Sequence, residues 1–208
     1  MMEPLKPSMH SSSPGQNDMR NGTKVFIAGS RRLSKLSSDV THRLDNIIEK
    51  SLTVLVGDAN GVDKAVQTYF SKKHYPRVQV FYMEGGCRNN VGNWPARVVS
   101  ATNPSRRDFA YYSTKDRVMS DEADYGLMLW DGESRGTLAS IVDLVGRGKP
   151  VAVYFSPGKT FHTLRDSSDL DALLHRVDPA TLSQLGSQLD FLPKSRTANH
   201  KGDTAPLF

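Results

Sequence analysis

The segment KVFIAGSRR, residues 24–32, gives the first indication of the fold. Its first five residues, Lys24–Ala28, are mostly β-branched or apolar, which is typical of a parallel strand that helices cover on both faces. A glycine, a serine and two arginines follow directly, so the chain turns where this strand ends. In open α/β sheets, ligands lie outside the carboxyl ends of the strands, and this turn carries charge for an anionic ligand.

Further buried strands alternate with amphipathic helices along the chain. The predicted later strands are 53–56, 77–82, 125–130 and 150–155. Helical windows, with apolar residues at i, i+3 or i+4 and i+7, lie at 39–50, 61–73, 107–123 and 137–145. This alternation implies right-handed crossovers between parallel strands. We therefore expect an α/β fold with a single Rossmann-like, doubly wound, parallel five-stranded sheet.

The residues outside this alternating pattern predict how the chain is divided. Both ends are rich in Ser, Pro, Asn or Gly and show no periodicity, as in segments that form no packed core. Two short helical windows, 168–176 and 179–189, follow the last strand. The expected divisions are a disordered leader at 1–22, the α/β domain at 23–157, edge helices at 158–189 and a flexible tail at 190–208.

One connection, residues 84–105, shows no clear period and is longer than most loops inside a domain. Loops of this length are usually functional or disordered. Arg88 and Trp94 favour a lid or a specificity loop over a ligand. Trp94 could equally pin the segment to the core, and the sequence leaves both interpretations open.

Composition excludes several classes of protein. The chain has 208 residues, of which 38% are hydrophobic and 24% charged, so it can form a globular core. The single cysteine, Cys87, excludes an internal disulfide and a thiolate zinc site, and the six His show no metal-binding spacing. We expect no metal or other cofactor. No apolar run is long enough for a membrane span and no secretory signal is visible, so we expect a cytoplasmic protein.

The charge is modest and evenly spread along the sequence. Lys and Arg number 27 against 22 Asp and Glu, a formal net charge of +5, and no run of five like charges occurs. This spacing argues against a nucleic-acid tail and disfavours a nucleic-acid partner. The surplus of cations suits a small anionic ligand instead.

Three strand ends carry glycine-bearing turns, and parallel strands bring such turns to one edge of a sheet. The turns are GSRR at 29–32, GDANGVD at 57–63 and DGESRGT at 131–137. A glycine-rich turn that opens a helix offers free N–H groups and the positive end of the helix dipole to a phosphate. In any one loop, the glycine could simply make the turn while Ser134 or Asp63 caps the helix. The convergence of three turns favours a ligand site.

These turns resemble motifs of the SLOG superfamily of Rossmann-like nucleotide-binding proteins. Gly29-Ser30-Arg31 is similar to the first-strand Gly-Ser-Arg of the DNA processing protein A family, and 57–63 is similar to its Gly-x-Ala-x-Gly-x-Asp turn. The segment 131–137 resembles the Pro-Gly-Gly-x-Gly-Thr phosphate loop of the Lonely Guy phosphoribohydrolases, with Asp131 for Pro and one extra residue. The resemblance covers roughly residues 24–156 and implies a nucleotide-binding domain with a phosphate-binding loop.

The resemblance also implies which residues meet the ligand. The first turn would face the base or ribose, the third would hold a phosphate, and the long connection would close over both. The predicted ligand-binding residues are Gly29, Ser30, Arg31, Gly57, Asn60, Arg88, Asn89, Lys115, Asp116, Gly132, Ser134, Arg135, Gly136 and Thr137.

Two departures from the family pattern bear on catalysis. Lonely Guy enzymes hydrolyse the N-glycosidic bond of nucleoside monophosphates with an Arg on the third helix and a Glu three residues after Gly-Thr, and here those positions hold Lys115 and Ser140. A serine cannot act as a carboxylate does in that reaction. The substitute carboxylates at the predicted edge, and the predicted catalytic residues if the chain is an enzyme, are Asp58, Asp131 and Glu133. Asp131 could instead cap the turn into the next helix.

Three functions remain open from the sequence. The preferred one is binding of a nucleotide or nucleotide-derived phosphorylated ligand, with a sensor as one form of that role. The second is a nucleoside or nucleotide N-glycosidase, or a transferase like the nucleoside deoxyribosyltransferases, which residues 125–137 and 148–151 also resemble. The third is a single-stranded DNA-binding module like DNA processing protein A. We expect no membrane partner, and a homodimer is an open expectation, with Phe109, Tyr111 and Tyr112 as interface candidates.

Overall fold

A seven-stranded sheet forms the centre of the protein in the computed structural model, which describes residues 22–101 and 108–189. The strands are β1 (Lys24–Gly29), β2 (Thr53–Gly57), β3 (Val78–Met83), β4 (Ala96–Val99), β5 (Tyr125–Trp130), β6 (Val151–Phe155) and β7 (Thr160–Leu164). Their order is β4-β3-β2-β1-β5-β6-β7, and every neighbouring pair is parallel except β6 and β7. The predicted leader, apart from Gly22, and the predicted tail lie outside the described residues.

Helices cover both faces of the sheet. They are α1 (Ser38–Glu49), α2 (Val62–Lys72), α3 (Phe109–Glu122), α4 (Arg135–Gly146), α5 (Ser167–Leu174) and α6 (Pro179–Leu189). Successive strand residues point to opposite faces. Ile27 therefore packs in the core layer of α1 and α2, whereas Phe26 packs in the layer of α3 and α4. None of the described helices is long and apolar enough to cross a membrane.

The α/β class and the largely parallel sheet are confirmed, but the prediction of five strands is wrong. β4 lies within the connection that showed no period, and β7 lies where only edge helices were expected. Both are edge strands, and their residues are largely exposed or half-buried. An edge strand needs no continuous apolar run, so the pattern that revealed the central strands is absent from these two.

The long connection between β3 and α3 is anchored to the core by Trp94. This side chain is buried, and its indole N–H donates to the carbonyl of Tyr75 at 2.9 Å. The Asn90 side chain accepts from the Trp94 N–H at 3.0 Å and donates to the Trp94 carbonyl at 2.8 Å. Of the two interpretations of Trp94, the structure supports the core anchor.

The order of the strands reverses between β1 and β5. In open α/β sheets the ligand crevice lies at this reversal, at the carboxyl edge of the sheet, which is called the rim below. The crevice lies between the loop after β1 and the loop after β5. Gly29 allows β1 to lie close to β5 and α2, since an added Cβ would lie 2.4 Å from the Leu129 carbonyl oxygen and 2.7 Å from Val62 Cγ2. Gly61, with φ of +78°, lets the next loop pass close to the backbone of Arg31, since an added Cβ there would lie 2.4 Å from the Arg31 Cα.

Gly29→Ala should lower the free energy of unfolding by about 1–3 kcal/mol, because the added methyl group overlaps its neighbours. Gly136→Ala is the matched control, since its methyl group would meet no atom within 4 Å. Alanine is also favoured over glycine in a helix by about 0.5–1 kcal/mol. Urea unfolding followed by circular dichroism measures both variants. Equal losses in the two would contradict this account of the crevice.

Candidate functional site

Asp131 joins the two sides of the crevice at the reversal point. One of its carboxylate oxygens accepts a hydrogen bond from the Ser30 hydroxyl, at the end of β1. The other accepts the N–H groups of Glu133 at 3.1 Å and Ser134 at 2.7 Å. Both oxygens therefore have partners, and the carboxylate stabilises the turn into α4, as a cap does.

Cations surround the mouth of this crevice. Arg32 forms an exposed ion pair with Glu133 across the mouth. Arg31 is exposed as well, and it has no ion-pair partner among the described residues. Arg31 is therefore available to an anion, whereas Arg32 must first leave Glu133.

The first turn of α4 is open to the crevice. The first N–H groups of a helix have no partner within it, and an added Cβ on Gly136 would meet nothing within 4 Å. Arg135 stacks on the Phe109 ring, with its Cζ 3.7 Å from the ring centroid. Its Nε is buried without a hydrogen-bond partner in the described part of the chain. Thr137 donates to the Ser134 hydroxyl at 3.0 Å.

A second group of charges lies at the rim beside the end of β2, and we call it the Asp58 cluster. Its members are Asp58, Asp63, Arg88, Lys115 and Asp116. Arg88 binds the Asp58 carboxylate through two nitrogens, at 2.9 and 2.7 Å, and Lys115 Nζ lies 3.4 Å from it. Burial alone would raise the pKa of Asp58, but the hydrogen bonds from Arg88 and the charge of Lys115 outweigh it and lower that pKa.

Gly57 permits the inner contact of this cluster. An added Cβ there would lie 2.4 Å from Asp63 Oδ2 and 2.5 Å from Lys115 Nζ. These two buried groups therefore occupy the space that a side chain at residue 57 would fill. Burial lowers the pKa of Lys115, but the nearby carboxylates of Asp116, Asp63 and Asp58 have a larger, opposite effect. The pKa of Lys115 is therefore above its usual value. Desolvation raises the pKa of Asp63 to about 6.

A buried glutamine fixes the long connection against the end of β2. The Gln67 side chain is fully buried and donates to the carbonyls of Gly57 at 2.8 Å and Asn89 at 3.2 Å. Its amide oxygen accepts the Val91 N–H at 3.0 Å. Asn89 in turn donates to the Asp58 carbonyl at 2.8 Å and to the Asn60 side chain at 3.2 Å.

Sequence reasoning missed the contributions of Asp63 and Gln67. The sequence predicts Asp63 as a helix cap and as the last residue of the family-like turn 57–63, whereas the structure buries it facing a lysine. Gln67 follows it at i+4 on α2, a spacing that places both on one face of the helix. That spacing is the signal that could have found Gln67.

The structure brings the predicted site residues together at the rim in two groups. The group at the crevice comprises Gly29, Ser30, Arg31, Asp131, Gly132, Glu133, Ser134, Arg135, Gly136 and Thr137. The group at the Asp58 cluster comprises Gly57, Asp58, Asn60, Arg88, Asn89, Lys115 and Asp116.

The predicted catalytic carboxylates all have partners within the chain. Asp58 binds Arg88 and Lys115, Asp131 closes its turn, and Glu133 pairs with Arg32. The Ser140 hydroxyl, at the position of the family Glu, donates to the Gly136 carbonyl at 3.1 Å. Among the described residues, no group of three or more His, Cys, Asp or Glu could hold a metal ion.

Comparison with known proteins supports the fold. No protein-family model matches the sequence, and no curated protein matches it either. A solved structure of DNA processing protein A from Helicobacter pylori, described for its mode of single-stranded DNA binding, matches with a TM-score of 0.52 and 13% identity over 86% of each chain. At this identity the likeness shows a shared Rossmann-like α/β fold, the class to which the sequence motifs pointed.

The expectation that nucleic acid is no partner is wrong, because a protein of this fold binds single-stranded DNA. That expectation rested on the absence of a basic run in the sequence. A fold can gather cations that are far apart in the chain, as Arg31 and Arg135 are gathered at one rim. Linear charge spacing is therefore a poor guide to the surface of a parallel sheet.

Lys115→Met should lower the free energy of unfolding by about 3–5 kcal/mol, because it leaves buried carboxylates without their cation. Glu133→Gln, which breaks an exposed pair, is the control and should leave stability unchanged. Urea unfolding at neutral pH compares the two. A Lys115→Met variant as stable as the control would show that the Asp58 cluster does not organise the rim.

Asp63 should give stability a pH dependence of unusual sign. Between pH about 4 and about 6, the folded protein keeps this proton while the unfolded chain releases it. Raising the pH through this interval therefore costs the folded state up to about 3 kcal/mol from this group. Asp63→Asn removes the titration, so wild-type stability relative to the variant should fall from pH about 4 to about 7. Urea unfolding across this range measures the difference, and a constant or rising one would contradict the assignment.

Proposed function

We propose that the chain binds single-stranded DNA at the rim. The observation that carries the proposal is the aromatic first turn of α3, whose rings lie beside arginines of the rim. Arg135 stacks on Phe109, and the Arg88 guanidinium carbon lies 5.8 Å from the centroid of the Tyr112 ring. Proteins that bind single strands combine cations for the phosphates with flat side chains on which bases stack.

Tyr112 is the flat side chain best placed for a base. It is 40% exposed, while its neighbour Tyr111 is buried and contacts it edge-on at 5.1 Å. The Tyr111 hydroxyl donates to the Glu84 carbonyl at 3.0 Å, which fixes the ring that supports Tyr112. A base stacked on Tyr112 would therefore meet a rigid surface and lose little side-chain entropy on binding.

The free cations at the crevice suit the phosphates of the same strand. Arg31 has no ion-pair partner among the residues described, and the Ser134 side chain does not cap the first N–H groups of α4, a helix that begins at the same rim. Phosphates bound here would neutralise charges that the fold leaves uncompensated. The likeness to a single-stranded DNA-binding protein over most of both chains supports this proposal.

The geometry supports binding better than N-glycosidic hydrolysis. That chemistry needs a carboxylate free to meet the anomeric carbon or a water molecule. Each of the three candidate carboxylates, Asp58, Asp131 and Glu133, has a cation or hydrogen-bond donors within the chain. Hydrolysis would require one of them to leave its partners.

A second candidate function is binding of a single phosphorylated nucleotide at the start of α4. The buried Arg135 Nε without a partner among the described residues, and the open space beside Gly136, favour it. One phosphate of a mononucleotide and one of a strand would use the same groups. The two functions differ in whether affinity grows with the length of the strand.

Fluorescence anisotropy with labelled oligothymidylate tests the proposal. The wild type should bind the single strand more tightly than the corresponding duplex, with affinity that falls as salt rises. Tyr112→Ala should weaken binding about tenfold, since one stacked base contributes about 1–3 kcal/mol. Arg135→Ala should weaken binding and reduce the slope of log K against log salt by about 0.7.

Arg43→Ala is the matched control, because Arg43 stacks on Phe161 at 4.9 Å, away from the crevice. It should bind as the wild type does. Equal losses in Arg43→Ala and Arg135→Ala would contradict a site at the rim. A mononucleotide that displaces the strand completely at a concentration near its own Kd would instead support the second candidate.

A further inference from the structure

A groove between α1 and α2 leads away from the rim. Its volume is about 430 Å³, and it opens broadly to solvent. Its lining is mainly small or basic and includes Ser34, Thr41, Gly61, Lys64, Thr68 and Lys72. The groove lies on the face of the sheet opposite to α3 and α4, so it is separate from the Phe109 and Tyr112 surface.

The groove carries the positive charges of Lys64 and Lys72. Lys64 and Lys72 are exposed, and neither has an ion-pair partner among the described residues. The nearby Asp45 is already bound by Lys73 at 2.8 Å and by the Tyr69 hydroxyl at 2.8 Å. Asp63, at the start of α2, is buried in the Asp58 cluster.

The two lysines are spaced along one face of α2. Lys64, Thr68 and Lys72 follow at i, i+4 and i+8, which spans about 12 Å at the rise of an α-helix. The Thr68 hydroxyl donates to the Lys64 carbonyl at 2.8 Å, so it offers no free proton to a ligand. Its small side chain leaves the floor of the groove open between the two ammonium groups.

The upper end of the groove adjoins the crevice. Gly61 lines the groove, and its backbone approaches Arg31 so closely that an added Cβ would lie 2.4 Å from the Arg31 Cα. The loop that carries Arg31 therefore lies beside the start of α2, the helix that carries Lys64 and Lys72. These cations come from two separate segments of the sequence, which the packing of α2 beside the first loop brings together.

The groove is suited to a sugar-phosphate backbone and not to bases. Its one aromatic residue, Tyr69, is only half-exposed, its hydroxyl is bound to Asp45, and its ring packs edge-on against buried Phe70 at 6.2 Å. No ring of the groove lining is therefore open for stacking. Two ammonium groups on a helical face recognise phosphates as point charges and carry no sequence information.

We infer that this groove binds the phosphate backbone of a single strand as the strand leaves the crevice, with Lys64 and Lys72 as the phosphate contacts. The inference rests on the proposed function and adds a second, sequence-independent segment to that site. It predicts that strands long enough to leave the crevice bind more tightly than short ones.

Anisotropy with single strands of about 6 and about 20 nucleotides tests the groove, a range that brackets a compact single-strand site. The variant Lys64→Ala/Lys72→Ala should bind the long strand several-fold more weakly than the wild type. Its slope of log K against log salt should be shallower by about 1.4, because two phosphate contacts are lost. Its affinity for the short strand should not change.

Lys50→Ala/Arg117→Ala is the control, since it removes the same charge at two exposed positions outside the groove. It should retain wild-type affinity for both strands. The inference would be overturned if both double variants lost the same affinity for the long strand. It would also be overturned if the groove variant lost as much affinity for the short strand as for the long one, or if it bound the long strand as tightly as the wild type does.

Two further results separate this inference from the proposed function. If Tyr112→Ala weakens the binding of both strands while the groove variant binds like its control, the crevice site is supported and the groove assignment fails. If the wild type binds neither strand, the proposed function fails, and the groove assignment fails with it. Thermal unfolding of each variant confirms that the fold is retained.

Discussion

The contact between buried Lys115 and its carboxylates is the constraint on which the rim depends. Lys115 lies on α3, Asp58 at the end of β2 and Asp63 on the first turn of α2, so one ammonium group joins helices on both faces of the sheet. Taking these charges out of water is costly, and only close pairing offsets the cost. Gly57 makes the pairing possible because a side chain there would occupy the same space.

This constraint also decides which cations can serve a ligand. Arg88 and Lys115 belong to the Asp58 cluster, which already holds three carboxylates against these two cations. Among the described residues of the rim, the groups left to an anion are Arg31, Arg135 and the open first turn of α4. The neighbouring aromatic rings on α3 then favour a ligand with bases as well as phosphates. The charges that stabilise the fold and those that the proposed site offers to a ligand thus lie in two neighbouring parts of one rim.

The central fold could be predicted from the sequence because its strands are continuous apolar runs. β5, for example, begins and ends where the pattern of YGLMLW predicts. β4 could not be found this way, since ARVV is an edge strand with three exposed residues. The rim was predictable from glycine turns because parallel strands must bring such turns together. The contacts within it were not, since Arg88 and Lys115 lie 30 and 57 residues from Asp58 and meet it only through packing.

A map of where a single strand lies on the protein decides whether the rim is its binding site. Ultraviolet cross-linking of oligonucleotides that contain 5-iododeoxyuridine, followed by mass spectrometry of the peptides, gives that map. We expect the strongest cross-links in the peptide that contains the first turn of α3, at Phe109 and Tyr112, and their loss in Tyr112→Ala. Cross-links confined to α5, to α6 or to the amino edge of the sheet would contradict a single-strand site at the rim.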